Sequence, residues 1–291
     1  MSRMLEDHEF AFCLTHDIDR PYKTFQAPYY ALKDRDPSHL KSLVSSERPY
    51  WQFEEIMQLE EELGVRSSFY FLNEKNLFRD KEPREWTKPK NWKLFTGRYD
   101  ITDDEIVDVI QALDRGGWEV GLHGSYESYN DLERLRYEKE TLEDILGHDV
   151  IGGRQHYLNL DRPTTWEHHR EIGLKYDASL GSSSEYGFQN GYNIIQPFGD
   201  GFTVFPLTLM EVALVGGNPD IDSAKREIDR LLRRASEYDA IASALWHPRV
   251  FNERDFPGYK ELYRYLITSA LEMGAWVGPV AEAYNYTQTE I

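Results

Sequence analysis

Short apolar runs alternate with amphipathic stretches along most of the chain. Phe10 to Thr15 is apolar and aromatic and predicts a first strand, whereas Trp51 to Leu63 has apolar residues near helical spacing and predicts a helix. The near-continuous apolar run Ile241 to Trp246 is typical of a strand that is buried on both faces. This alternation predicts an α/β fold in which βα units surround a parallel sheet or barrel.

The same criteria predict the remaining elements. Thr102 and Glu105 form a capping-box pattern, which predicts that a helix begins there and ends at Gly116. Further strands are predicted over 67–72, 118–122, 150–157, 174–176, 202–215 and 275–277. Further helices are predicted over 131–146, 163–172, 221–238, 259–273 and the last residues.

Two segments interrupt the alternation, at about 20–49 and 73–100. Both are long for plain connections, and long loops in compact domains are often functional. Either segment borders a substrate cleft, or both are peripheral insertions. The sequence leaves these alternatives open.

Composition limits the class of protein. The 291 residues fit one large catalytic domain spanning 1–291, and no apolar run is long enough to cross a bilayer. The net charge of −18 argues against a nucleic-acid partner, which would need a basic face, but does not exclude a neutral sugar. The single cysteine, Cys13, and the acidic N-terminus favour a cytoplasmic location. Nothing in the sequence indicates the oligomeric state.

Polar residues follow most of the predicted strands. The carboxyl ends of parallel strands meet at one rim, so these side chains are expected to converge there. The residues at the strand ends are Asp17, Asp19, His123, Arg154, His156, Asp177 and His247. Each one alone could serve a turn or an ion pair, but their joint placement favours an active site. The remaining histidines, His8, His39, His148, His168 and His169, are predicted to be surface residues.

These residues, in this order, resemble the motifs of the polysaccharide deacetylase (NodB-homology) superfamily, over about residues 9 to 285. The motifs that carry the resemblance are Thr15-His16-Asp17-Ile18-Asp19, His123-Gly124-Ser125-Tyr126-Glu127, Arg154-Gln155-His156-Tyr157, Tyr176-Asp177-Ala178-Ser179-Leu180 and Leu245-Trp246-His247-Pro248. The resemblance implies a distorted (β/α)7 barrel. Two departures stand out, because Glu127 replaces the second histidine of its motif and His156 replaces a proline.

The resemblance also implies roles for these residues. Asp17 would be the general base, held by Arg154, and His247 the general acid. Asp19 and His123 would bind a divalent metal. The third ligand is predicted to be His156, which gained a nitrogen donor where the second motif lost one, with Glu127, Ser125 or water as alternatives. A branch of the superfamily linked to surface-polysaccharide genes is similar in its His-x-Ser-Tyr and Arg-Gln-His-Tyr-Leu strings.

The predicted function is therefore a metal-dependent hydrolase that removes N-acetyl groups from an amino sugar or saccharide, such as a surface-polysaccharide precursor. The metal is expected to be Zn²⁺, with Co²⁺, Ni²⁺ or Fe²⁺ as alternatives. The backbone N–H of Tyr157 would face the oxyanion, Asp177 would orient His247 or the substrate, and Tyr126, Tyr157 and Trp246 would offer aromatic faces to a sugar. The alternatives are another C–N hydrolase on this fold, such as an allantoinase-like enzyme or cyclic amidase, and a catalytically silent sugar-binding protein. The sugar, its linkage and its carrier are not determined.

Overall fold

The computed structural model describes residues 7–216 and 220–288. Its strands are β1 (Phe10–Ile18), β2 (Ser68–Leu72), β3 (Glu119–Gly124), β4 (Gly152–Gln155), β5 (Tyr176–Asp177), β6 (Thr203–Val204), β7 (Leu209–Met210), β8 (Ile241–Leu245) and β9 (Ala275–Gly278). Its α-helices are α1 (Gln26–Lys33), α2 (Phe53–Glu62), α3 (Pro89–Gly97), α4 (Asp104–Arg115), α5 (Leu132–Leu146), α6 (Thr164–Glu171), α7 (Glu211–Val215), α8 (Ile221–Glu237), α9 (Tyr259–Glu272) and α10 (Val280–Gln288).

All nine of these strands join one curled parallel sheet, in the order β6-β5-β4-β3-β2-β1-β8-β7, with β9 paired to β1. The first strand is central because it has three partners: Phe10–Cys13 pairs with β9, Thr15–Ile18 with β2 and Ala11–Thr15 with β8. Every residue of β1 is buried. The α/β class and the distorted (β/α)7 barrel are confirmed.

The interior of the sheet is filled by aromatic side chains below the strand ends. Tyr70 lies over Gly121, where a Cβ atom would come within 2.6 Å of the tyrosine ring. The hydroxyl of Tyr70 lies 3.1 Å from that of Tyr176. The Arg154 guanidinium lies 5.1 Å from the centre of the Tyr70 ring. Tyr70 therefore supports the polar residues that end the strands.

Most predicted elements are confirmed, and the differences concern their ends. The predicted strand over 202–215 consists of the short strands β6 and β7 followed by helix α7. The capping box is wrong, because α4 is preceded by Asp103 without a side-chain cap. Glu105 instead accepts hydrogen bonds from Tyr22 and Arg48 in the first inserted segment.

Both inserted segments are ordered against the barrel. The first contains α1 and the 3-10 helix Pro37–Leu43, and the second contains the 3-10 helix Pro83–Thr87 and α3. Lys23 forms an ion pair with Asp255 at 2.5 Å, which fastens the first segment to the loop after β8. His39 is buried in this contact, so its predicted surface position is wrong. No described helix is long and apolar enough to span a membrane.

Candidate active site

The ends of β1, β3, β4 and β8 surround one cavity of about 230 Å³. Five of the residues predicted at strand ends line it, as does Tyr157: the five are Asp17, Asp19, His123, His156 and His247. These residues come from parts of the chain as far apart as positions 17 and 247. The strands of the sheet are parallel, so their carboxyl ends bring these residues to one rim, as predicted.

Asp17 is fixed by a buried arginine. Arg154 donates from Nη1 to Oδ1 of Asp17 at 2.9 Å and to Oγ1 of Thr15 at 2.7 Å, and from Nε to the carbonyl of Ala178 at 2.8 Å. Burial alone would raise the pKa of the Asp17 carboxyl, but its interactions with His123 and with the Arg154 guanidinium outweigh the effect of burial and hold that pKa below its usual range. Asp17 is therefore an ionised carboxylate of fixed orientation.

His16, although it lies between Thr15 and Asp17, faces away from the cavity. Successive side chains of a strand point to opposite faces. Its Nδ1 lies 2.5 Å from the carbonyl of Trp246, and its Nε2 lies 3.0 Å from Glu60 and 3.1 Å from the Tyr263 hydroxyl. The histidine of the first motif therefore joins a buried network behind the sheet.

His123 and His156 both turn Nδ1 toward an oxygen atom. The Nδ1–H of His123 donates to the carbonyl of Arg154 at 2.9 Å, while its Nε2 lies 3.7 Å from Oδ2 of Asp17. Burial lowers the pKa of His123 to about 4, so its ring is neutral at pH 7. Nδ1 of His156 lies 3.6 Å from Oε2 of the buried Glu74 and has no hydrogen-bond partner among the described residues. The two ring centres are 5.2 Å apart.

Asp19 is bound by cations of its own chain. Arg249 donates from Nη1 to Oδ1 of Asp19 at 2.7 Å, and Nε of Arg20 lies 3.9 Å from Oδ2. Burial opposes ionisation of Asp19, but the charge of Arg249 holds its pKa well below the usual range. Asp19 is thus a carboxylate whose negative charge is balanced by the guanidinium of Arg249.

The donors fit a divalent cation in type. Imidazole and carboxylate groups are ligands that Zn²⁺ takes, and a ring whose Nδ1 faces a carbonyl or carboxylate leaves Nε2 for a metal. Across residues 7–216 and 220–288, however, no group of three or more His, Cys, Asp and Glu side chains is spaced to hold an ion. Asp19 is paired with Arg249 instead.

His247 is oriented by Glu211, the first residue of α7. Its Nδ1 lies 2.5 Å from Oε1 of Glu211, which is completely buried. The expectation that Asp177 orients His247 is wrong. Asp177 is also completely buried and accepts hydrogen bonds from Trp166 and Ser179, and it does not line the cavity.

Four other predicted residues also lie outside the cavity lining. Trp246 is fully buried against Tyr263, so it offers no face to a sugar. Glu127 accepts from Lys81 at 2.8 Å and lies 3.6 Å from Lys90, which removes it from the predicted alternative ligand position. The remaining two are Ser125, which is buried and whose Oγ has no hydrogen-bond partner within the described part of the chain, and Tyr126, which is half-buried.

His169 contradicts the surface position predicted for it. The residue is buried, its Nε2 lies 2.9 Å from the amide of Gln155, and its Nδ1 lies 3.5 Å from Asp177. This contact ties α6 to the ends of β4 and β5. His169 therefore supports the site from behind.

Four residues that the sequence did not point to hold the site together: Glu74, Glu138, Glu211 and Arg249. Glu74 accepts from the backbone N–H of Tyr126 at 3.0 Å. Glu138 accepts from the N–H of Ser125 at 3.0 Å and from Arg134 at 2.6 Å, which fixes the loop after His123. In the sequence the three glutamates resemble ordinary charged residues of helices or loops. Only Arg249 could have been suspected as a site residue, because it lies two positions after His247.

Tyr157 lies at the opening of the cavity. It is 48% exposed, and its φ of 59° is in the left-handed region, as is that of Leu158 at 56°. Bulky residues adopt this region at a cost and persist there mainly at functional sites. The conformation turns the chain sharply after His156, so that His156, Tyr157 and Leu158 all border the cavity.

Comparison with solved structures gives consistent matches over nearly the whole chain. A candidate polysaccharide deacetylase from Mycobacterium smegmatis superposes with a TM-score of 0.64 at 18% identity, covering 98% of this chain and 92% of that one. Another from Pseudomonas aeruginosa gives a TM-score of 0.65 at 12% identity, with the same coverage. The chain has the polysaccharide deacetylase fold.

This fold also occurs in a protein described as a pseudoenzyme. A CE4 family pseudoenzyme from Bacillus anthracis superposes with a TM-score of 0.52 at 11% identity, covering 96% of this chain and 66% of that one. No family model matches the sequence, and no curated protein matches it. The resemblance inferred from the strand-end motifs is thus confirmed as a likeness of fold.

Proposed function

We propose that the protein is a metal-dependent hydrolase that removes N-acetyl groups from an amino sugar or saccharide. The observation that carries the proposal is that Asp17 and His247 border the same cavity, and that each is oriented by a buried side chain, Arg154 for Asp17 and Glu211 for His247. Amide hydrolysis needs a base for the attacking water and an acid for the departing amine. Asp17 and His247, each held in a fixed orientation, match the tasks of the base and the acid.

The metal would be held by Asp19, His123 and His156, after Asp19 exchanges Arg249 for the ion. A divalent cation such as Zn²⁺, or Co²⁺, Ni²⁺ or Fe²⁺, supplies a more acidic water and polarises the acetyl carbonyl when bound. Asp17 would accept the proton of the water, since Arg154 keeps it ionised. His247, held by Glu211, would protonate the leaving nitrogen.

Substrate recognition would fall to the opening of the cavity. The exposed ring of Tyr157 could stack on a sugar, and its backbone N–H could face the oxyanion. Tyr126 packs edge-on against Tyr157 at 5.5 Å between centroids and would support that ring. An N-acetylated precursor of a surface polysaccharide is the proposed substrate class, and the cytoplasmic location stays a prediction that rests on the single cysteine.

A second candidate is a catalytically silent sugar-binding protein. The observation in its favour is the ion pair of Asp19 with Arg249, which provides a cation without a metal. A protein described as a pseudoenzyme has the same fold. In this alternative the cavity would bind a saccharide and release no acetate.

The test is acetate release from N-acetylated oligosaccharides by the purified protein, with Zn²⁺ present or removed by chelation. We expect turnover that depends on metal, and we expect Asp17→Asn to lower it by at least about a thousandfold with metal content nearly intact. Metal loss in Asp17→Asn would make Asp17 a ligand instead of the base. Sugar binding without acetate release would favour the silent alternative, and release of ammonia or another acid from other amides would favour a different C–N hydrolase.

A further inference from the structure

The two inserted segments are basic within an acidic protein. Residues 20–49 contain six Lys or Arg against three Asp or Glu, and residues 73–100 contain eight against five, in a chain of net charge −18. Each segment contributes one cation to the cavity lining, Arg20 from the first and Lys93 from the second. The acidic surface as a whole would repel an anion, but at physiological salt this repulsion is screened beyond about 8 Å. The charged residues at the opening therefore influence ligand binding more than the net charge of the surface does.

Lys93 differs from the other lysines of its segment. Lys81, Lys88 and Lys90 each lie within ion-pair distance of a glutamate. Within the described part of the chain, no carboxylate lies within 4.0 Å of the Lys93 ammonium, which is 5.5 Å from the centre of the Tyr157 ring. Lys93 is thus an exposed, unpaired cation on α3 beside the opening.

The other charges of the lining leave an excess of positive charge. The lining contains three cations, Arg20, Lys93 and Arg249, and two carboxylates, Asp17 and Asp19. Asp17 is already paired with Arg154 behind the cavity, and Asp19 is shared by Arg249 and Arg20. Arg20 also donates to the Tyr157 hydroxyl at 3.4 Å, which places its guanidinium on the same side as Lys93. A bound metal would add further positive charge.

We infer that the saccharide bound in this cavity carries an acidic group, a carboxylate or a phosphate, which Lys93 and Arg20 bind at the opening beside Tyr157. The inference rests on the proposed function only in taking the cavity as the sugar site. Three cations and two carboxylates line the cavity, which leaves an excess of one positive charge. An anionic group of the ligand would balance that charge. A neutral sugar would leave Lys93 unpaired.

The test compares binding of three small probes that share an N-acetylated ring: N-acetylglucosamine, its 1-phosphate, and N-acetylmuramic acid, which carries a carboxylate. Affinities are measured by calorimetry or ligand-observed NMR at two salt concentrations, on the wild type, Lys93→Gln and the control Lys88→Gln. Lys88 belongs to the same segment but pairs with Glu85 and does not line the cavity. Binding requires no turnover, so the result is independent of acetate release.

We expect at least one anionic probe to bind about tenfold more tightly than the neutral sugar, with a preference that weakens as salt rises. The anionic probe that binds more tightly identifies the group as carboxylate or phosphate. Lys93→Gln should reduce the ratio of anionic to neutral affinity several-fold, and Lys88→Gln should leave it unchanged. Equal affinity for all three probes, or a ratio that Lys93→Gln leaves intact, overturns the inference. Acetate release from a neutral oligosaccharide alongside such a result would leave the deacetylase proposal standing.

Discussion

The Nη1 atom of Arg249 lies 2.7 Å from Oδ1 of Asp19, across 230 positions of the chain. Asp19 is one of the three residues predicted to bind the metal. Its carboxylate is therefore paired with a cation that the protein itself supplies. We expect this ion pair to weaken metal binding by Asp19.

Arg249→Gln should raise the affinity of the site for Zn²⁺ by about tenfold or more. The substitution frees Asp19 and removes a positive charge that opposes the incoming ion. Competition titration against a chromogenic chelator measures the change. Arg254→Gln is the matched control, since Arg254 pairs with Asp36 on the surface. An unchanged affinity in Arg249→Gln would mean that the pair does not compete with the metal.

His156→Ala should lose most of its bound metal, because the site would keep only one imidazole beside Asp19. His148→Ala removes an exposed histidine paired with Asp114 and should retain the wild-type stoichiometry. Elemental analysis of both proteins, purified without chelators, gives the comparison. Equal metal content in the two variants would take His156 out of the ligand set.

Glu211→Gln should lower kcat by about ten- to a hundredfold with little change in KM or metal content. Oε1 of Glu211 lies 2.5 Å from Nδ1 of His247, so loss of this carboxylate misplaces the proposed acid. Glu227→Gln on the surface of α8 is the control. His247→Ala should lower the rate further, and wild-type kcat in either variant would reject this assignment of the acid.

Glu138 should make stability depend on pH. Burial raises its pKa from 4.5 to about 7, so the folded state keeps a proton that the unfolded chain releases near pH 4.5. Its contribution is full below pH 4.5 and is lost as the pH rises through 7, by on the order of 3 kcal/mol.

Glu138→Gln stays neutral and should lack this part of the pH dependence. Urea unfolding between pH 4.5 and 8 measures the free energy of unfolding of both proteins. The exposed Glu140→Gln on the same helix should follow the wild type. Parallel curves for wild type and Glu138→Gln would show that Glu138 ionises in the folded protein as it does in the unfolded chain.

The sequence by itself determined the strands, the helices that separate them and the rim where the polar residues meet. Apolar alternation and helical spacing are local properties, and parallel strands bring their carboxyl ends to one edge whatever the details of packing. For this reason Asp17, Asp19, His123, His156 and His247 could be assigned to one cavity without a structure.

Only the tertiary structure decided which partner each of these residues has. Glu211 beside His247, Arg249 beside Asp19 and Glu74 beside His156 are contacts between residues far apart in the chain. A charged residue that is buried against a histidine has the same local sequence signature as one that faces water. The difference arises from how helices and loops pack onto the sheet, which no local pattern records.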